Sequence, residues 1–148
     1  MILETEVTDL VTLERVVNSG VKRIKMIATI DHHGQLNDQN LLDTAVSLTQ
    51  AASVELVISI WPRHGGYHYD FHDVEESIRL LQQLRAHGVK TVSFGVLDEK
   101  NQLARDKMIK LIEAAGSMSV VYQFSTNDVS DDAYQKAVQW LERYGAKH

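Results

Sequence analysis

Residues 54–73 read Val54-Glu55-Leu56-Val57-Ile58-Ser59-Ile60-Trp61-Pro62-Arg63-His64-Gly65-Gly66-Tyr67-His68-Tyr69-Asp70-Phe71-His72-Asp73. The apolar run from Val54 to Ile60 has the length of a strand and lacks polar alternation, as a strand covered on both faces does. Pro62 stops it, because proline brings no N–H to a ladder, and the Gly65-Gly66 pair permits backbone angles that other residues avoid. Asp73 then opens a helical pattern whose stripe is Val74, Ile78, Leu81 and Leu84, closed by Gly88. Strand, loop, helix and a further apolar run from Thr91 to Val96 make a parallel βαβ unit.

The same alternation extends in both directions. Upstream, a strand at about Ile2 to Glu6 is followed by a helix starting at Thr8-Asp9 and ending by Gly20. Arg23 to Ala28 is a second strand, and Asn37 or Asp38 caps a second helix reaching about Ala51. Downstream, Leu103 to Ala115 is a helix closed by Gly116, and Ser119 to Phe124 is a strand. Ser130 or Asp131 caps a last helix through Tyr144. The chain is thus one α/β domain of five consecutive βα units in its 148 residues, with no linker between domains.

Composition narrows the function classes. A net charge of -5 and the absence of any long Lys/Arg run argue against a nucleic-acid backbone as partner. No apolar run approaches the roughly 18 residues of a membrane span, and Met1-Ile2-Leu3-Glu4 has no basic leader, so a cytoplasmic protein without a membrane partner is expected. There is no cysteine, which removes disulfides, thiolate nucleophiles and thiolate metal sites together. Met26, Met108 and Met118 fall in strand and helix patterns and read as core fillers.

In parallel α/β proteins the loops after the strands converge at the carboxyl edge of the sheet, where ligands bind. Five of the seven histidines lie in those segments: His32, His33, His64, His68 and His72. Imidazole suits Cu(II), Ni(II) and Zn(II), so these five are the candidate ligands for copper or another divalent metal, with Asp31, Asp70 and Asp73 as carboxylate partners. The competing reading makes them solvated loop residues packed on Trp61, Tyr67 or Tyr69. The sequence has no Gly-x-Gly-x-x-Gly, P-loop, Gly-x-Ser-x-Gly or His-Glu-x-x-His motif, so no cofactor is assigned on a motif.

Several segments resemble the CutC family of copper homeostasis proteins. Leu3-Glu4 with Gly20-Val21-Lys22-Arg23-Ile24 looks like the family's first strand and its entry to the second. Pro62-Arg63-x-Gly65-x-Tyr67-x-Tyr69 is similar to the loop after strand three, and Gly95-Val96-Leu97-Asp98, with Met108 and Ala114-Ala115-Gly116, to strand four and its helix. The resemblance implies a TIM-barrel-like fold and a role in copper or other metal homeostasis. It also departs: Trp61 replaces an arginine, Lys25 an acid, and Tyr122-Gln123-Phe124-Ser125-Thr126-Asn127 stands where the family has Phe-His-Arg-Ala-Phe-Asp. Of the pocket residues the family would use, Glu4, Arg63, Tyr69 and Asp98 remain.

Three functions stay open at this point. One is metal binding by the loop histidines. Another is an enzyme acting on a small anionic substrate, with Glu4 or Asp98 as general acid or base and Arg63 as the anion clamp. The last is a degenerate, non-catalytic paralogue that works through oligomerisation, for which the stripe Tyr134, Val138, Leu141 and Tyr144 is a candidate surface. Five units do not close an eight-unit barrel, so a partial barrel with two exposed edges is expected to form a homo-oligomer. The rival architecture is an open, flavodoxin-like doubly wound sheet of five strands.

Overall fold

A computed structural model describes residues 4–62, 65–123 and 129–144. Five strands and five helices alternate along them: β1 (Glu4–Glu6), α1 (Leu10–Val17), β2 (Arg23–Ala28), α2 (Gln39–Ala52), β3 (Glu55–Ile60), α3 (Phe71–Ala86), β4 (Thr91–Phe94), α4 (Arg105–Ala115), β5 (Ser119–Tyr122) and α5 (Asp131–Arg143). All neighbouring strands pair in parallel, and their order in the sheet is their order in the chain. A flavodoxin-like sheet places its first strand between the second and third. That alternative is therefore overturned, and the sequential order is the one a βα barrel uses. Among the described residues β1 and β5 remain as edges, so the barrel is not closed.

The register sorts the strand residues into two faces. Met26, Ile58, Val92 and Val120 stand side by side across four strands and join Leu13, Leu42, Leu81, Leu111 and Leu141, one from each helix, in a single core. Burying a leucine of this kind contributes about 1.5–3 kcal/mol. The opposite face is more polar. Arg23, Lys25 and Ile27 alternate along β2, and Arg23 Nε lies 3.1 Å from Glu55 Oε2 on β3. At the far, carboxyl end of the strands, Ser93 Oγ donates to Gln123 Oε1 at 3.0 Å while Gln123 Nε2 donates to the Ile60 carbonyl at 3.0 Å. Ser59 Oγ is buried there with no hydrogen-bond partner among the described residues.

Helix ends follow local chemistry, with two departures from the expected caps. Asp9 and Ser130 cap α1 and α5 by accepting the N–H of Thr12 and Ala133. The third helix starts earlier than expected: Asp70 is its cap, and Asp73 completes a reciprocal capping box three residues on, at 2.8 and 2.9 Å. Asp73 is thus the second half of the start signal. At α2 the cap position is Asp38, held at φ +54 with no side-chain cap bond among the described residues, while the neighbouring Asn37 donates its amide to Thr29 Oγ1. Gly88 ends α3 at φ +87, letting Val89 N–H reach back to the Leu84 carbonyl at 3.1 Å.

The three methionines singled out are core residues, with Met108 wholly buried. In α5, Leu141 is buried and Tyr134 and Val138 pack against the core, leaving Tyr144 exposed and stacked on Trp140 at 4.4 Å. The proposed oligomer stripe is mostly ordinary packing.

Candidate functional site

Two loops at the carboxyl edge of the sheet are copies of one another. After β2, Asp31 Oδ1 accepts the N–H of His33 at 2.8 Å and of Gln35 at 2.9 Å, and Asp31 N–H donates to the Gln35 carbonyl at 2.8 Å. After β4, Asp98 Oδ1 accepts the N–H of Lys100 and of Gln102, both at 2.9 Å, and Asp98 N–H donates to the Gln102 carbonyl at 2.7 Å. Antiparallel bridges Ile30–Leu36 and Leu97–Leu103 close the two turns. Each turn needs one left-handed residue, supplied by Gly34 at φ +76 and Asn101 at φ +56. The pattern hydrophobic-Asp-x-x-(Gly/Asn)-Gln-Leu occurs in both stretches of sequence and is the signal that marks the paired turns.

In these turns the aspartates act as anchors. The N–H groups of Gln35 and His33 hold the Asp31 carboxyl below the usual aspartate range. A third hand steadies the first loop: Gln83 of α3 donates from Nε2 to the Gly34 carbonyl at 2.7 Å and accepts the Leu36 N–H at 2.9 Å. Nothing in the sequence pattern marks Gln83 for that role.

The candidate site residues distribute as follows. His68 turns toward the next loop, with Nε2 2.9 Å from Asn101 Oδ1. His72 is 71% exposed on α3 and lies 3.4 Å from Glu76. His32 and His33 are exposed on the turn after β2. Among the described residues no group of three or more His, Asp or Glu side chains is placed to hold a metal ion. Arg63 and His64 lie outside the described residues, as does the side chain of Glu4. The backbone of Glu4 is in the first row of the sheet beside Arg23 and Glu55, at the amino end of β1. Asp98 follows β4 at the carboxyl edge, with β2 and β3 in between. Three strand spacings of roughly 4.8 Å part their strands.

What the structure does bring together is His68 and Asp98. Both border an open cleft of about 660 Å³ between the loops after β3 and β4, together with Tyr69, Asp70, Glu99, Lys100 and Lys107. Lys107 Nζ donates to the Tyr69 carbonyl across it, and Leu97 N–H to the Tyr67 carbonyl at 2.8 Å ties the two loops at their base. Asp70 and Asp98 each accept backbone N–H groups on Oδ1, which fixes how the two carboxylates are turned. Tyr69 itself is buried, and burial raises its phenol well above the usual value, with the charge of Asp73 adding to the shift. Trp61 and Tyr67 pack on each other at 5.3 Å between ring centres, which leaves the indole as a partner of a loop aromatic.

The model of the CutC family matches residues 1–147. The chain belongs to the CutC family. A CutC family protein of Parabacteroides distasonis is 29% identical over 126 residues, covering 83% of this chain and 49% of the relative. A second, from Xanthomonas campestris, is 29% identical over 115 residues, covering 78% and 46%. The chain therefore spans about half the length of these curated relatives. Among solved structures, a Streptococcus agalactiae protein named for copper homeostasis, CutC, superposes with a TM-score of 0.82 at 16% identity, covering 99% of this chain and 70% of the other. The spore cortex-lytic enzyme SleL of Bacillus cereus follows the same fold more loosely, with a TM-score of 0.55 at 12% identity over 92% of this chain and 37% of SleL. The CutC fold expected from the sequence is thus the fold found, and no helix among the described residues is long and apolar enough to cross a membrane.

Proposed function

We propose that this CutC protein serves copper homeostasis, the role for which its structural relative is named, by binding a small anionic ligand in the cleft between the loops after β3 and β4. The observation that carries the reading is the set of cationic donors at that cleft: Lys100, Lys107 and His68 border it beside the carboxylates of Asp70, Asp98 and Glu99, of which Asp70 and Asp98 are turned to backbone N–H groups. Ammonium and imidazole groups on such a rim can donate charge-assisted hydrogen bonds to carboxylate or phosphate oxygens. Calorimetric titration with orthophosphate and with citrate tests it. Saturable binding of either that weakens at least tenfold in Lys107→Ala supports the reading; unchanged binding in that variant, or none by the wild type, refutes it.

A second reading is a divalent metal held by His32, His33, His64, His68 and His72. It is favoured by the concentration of imidazoles in the segments after β2 and β3, through the first turn of α3, and by the absence of thiolates, which leaves Cu(II) as the copper species these ligands suit. The loops would have to close on the ion. Titration with Cu(II) and Zn(II), read by the copper d–d absorbance and by competition with a chromogenic chelator, should then show one equivalent lost in His33→Ala or His68→Ala. The open edges at β1 and β5 further support self-association of the chain, which light scattering would report as a mass above that of one chain.

A further inference from the structure

The paired turns differ at the residue that takes the left-handed step: Gly34 after β2, Asn101 after β4. Asparagine brings an amide that glycine lacks, and its Oδ1 lies 2.9 Å from Nε2 of His68 on the loop after β3. An amide oxygen only accepts, so Nε2 carries the proton and donates it to Asn101. In a neutral imidazole the other ring nitrogen is then a bare acceptor. Among the described residues nothing bonds to Nδ1. His68 borders the rim cleft and Asn101 does not. The N–H of the neutral ring is thus spent on a residue outside the cleft lining, and the acceptor Nδ1 is what His68 has left for a ligand.

The cleft therefore presents both kinds of group. An ammonium has three protons, and Lys107 gives one of them to the Tyr69 carbonyl, while Lys100 borders the same space. On the acceptor side stand His68 Nδ1 and the carboxylates of Asp70, Asp98 and Glu99. An anion without a proton of its own meets donors in the lysines and lone pairs elsewhere. One that also carries an O–H satisfies both. We propose, building on the anion binding assigned to this cleft above, that Asn101 is a positioning residue which holds His68 as an acceptor, so that the cleft selects an oxyanion bearing its own O–H, hydrogen phosphate or a hydroxycarboxylate, over one that has none. The ligand O–H donates to His68 Nδ1, and its charged oxygens accept from Lys100 and Lys107. The selection rests on hydrogen bonding rather than on charge, because lone pair set against lone pair leaves both groups unpaired.

Two matched pairs of probes test this at about pH 8, where imidazole of ordinary basicity is neutral. Hydrogen phosphate and sulfate share charge and shape and differ in one O–H; citrate and tricarballylate differ in one hydroxyl. In calorimetric titration of the full chain, whichever of phosphate and citrate binds should do so at least tenfold more tightly than its counterpart, and the pair that responds identifies the source of the O–H. Nitrogen resonances of the isotope-labelled imidazole should place the His68 proton on Nε2. Asn101→Gly keeps the left-handed backbone without strain and frees the ring to turn its N–H to the ligand, so the preference should fall at least threefold. His68→Phe, at an exposed position, removes both ring nitrogens and should lower it as far. Equal binding within a pair that Lys107→Ala still weakens overturns this proposal and leaves the anion site standing; no binding of phosphate or citrate overturns both. A preference unchanged in the two variants, or a His68 proton found on Nδ1, overturns the role given to Asn101 and His68.

Discussion

Replacing Gln83 by alanine should loosen the loop after β2 without touching the sheet. The side chain makes two hydrogen bonds to that loop, at 2.7 Å to the Gly34 carbonyl and 2.9 Å to the Leu36 N–H, and it is half-buried between α3 and the turn. A net contribution of about 1 kcal/mol for each bond gives roughly 2 kcal/mol. The true loss should not fall below that sum, because Leu36 is 4% exposed and its N–H would be left with little water to replace the amide. For a chain of this size 2 kcal/mol corresponds to a fall of about 4–8 °C in the melting midpoint. Urea unfolding measures the free energy, and amide hydrogen exchange locates it: the Leu36 and Gln35 amides should exchange faster while the Val92 amide, in the middle of the sheet, changes only with global stability. Gln82→Ala, on the exposed neighbour, serves as the control and should stay within about 0.5 kcal/mol of the wild type. A loss below about 0.5 kcal/mol in Gln83→Ala, with Leu36 exchange unchanged, would refute the idea that this amide holds the loop.

Three other outcomes follow from the same geometry. Leu84→Ala, at a position with no exposure, should cost about 2–5 kcal/mol in urea unfolding, since it removes a side chain from the shared core and leaves a cavity. Burial pushes the Tyr122 phenol up to about 12 from 10.0; the unfolded chain then loses that proton first as the solution becomes alkaline, so stability is full below pH 10 and falls between about 10 and about 12, with phenolate absorbance at 295 nm reporting the late ionisation. The Asp31 carboxyl is held low by backbone donors, so its contribution is present above its ordinary value of 3.8 and disappears as acid carries the solution through the lower folded value. Amide resonances of His33 and Gln35 should shift in that acidic window, and the shift should be absent in Asp31→Asn.

The fold was legible because its signals are redundant along the chain. Apolar runs at Arg23 to Ala28 and Glu55 to Ile60 have no competing helical reading, and each helix carries its stripe beside a glycine or a cap. The start of α3 was displaced because two aspartates share one capping box, and either alone satisfies the sequence signal. Sequence order in the sheet was beyond reach of periodicity, which counts strands and does not arrange them; the resemblance carried that part. The candidate site was less legible. His68 and His72 are four residues apart and near in the chain, yet one turns to Asn101 and the other to Glu76, since the direction of a loop side chain depends on backbone angles that no spacing rule contains. Lys107 and Gln83 sit within helical patterns where they read as ordinary solvated positions. Their roles come from what the neighbouring loop presents to them.

A sheet whose spatial order repeats its chain order has a mechanical consequence. Among the described residues each ladder joins a strand to the next one synthesised, so each added unit can dock on the surface before it. Deleting α5 from the far end would therefore trim the array and spare the β2–β3 ladder, the longest of the four. Unfolding should run inward from the flanks, with the short β1 ladder peeling first and the β2–β3 seam surviving as the last nucleus of order.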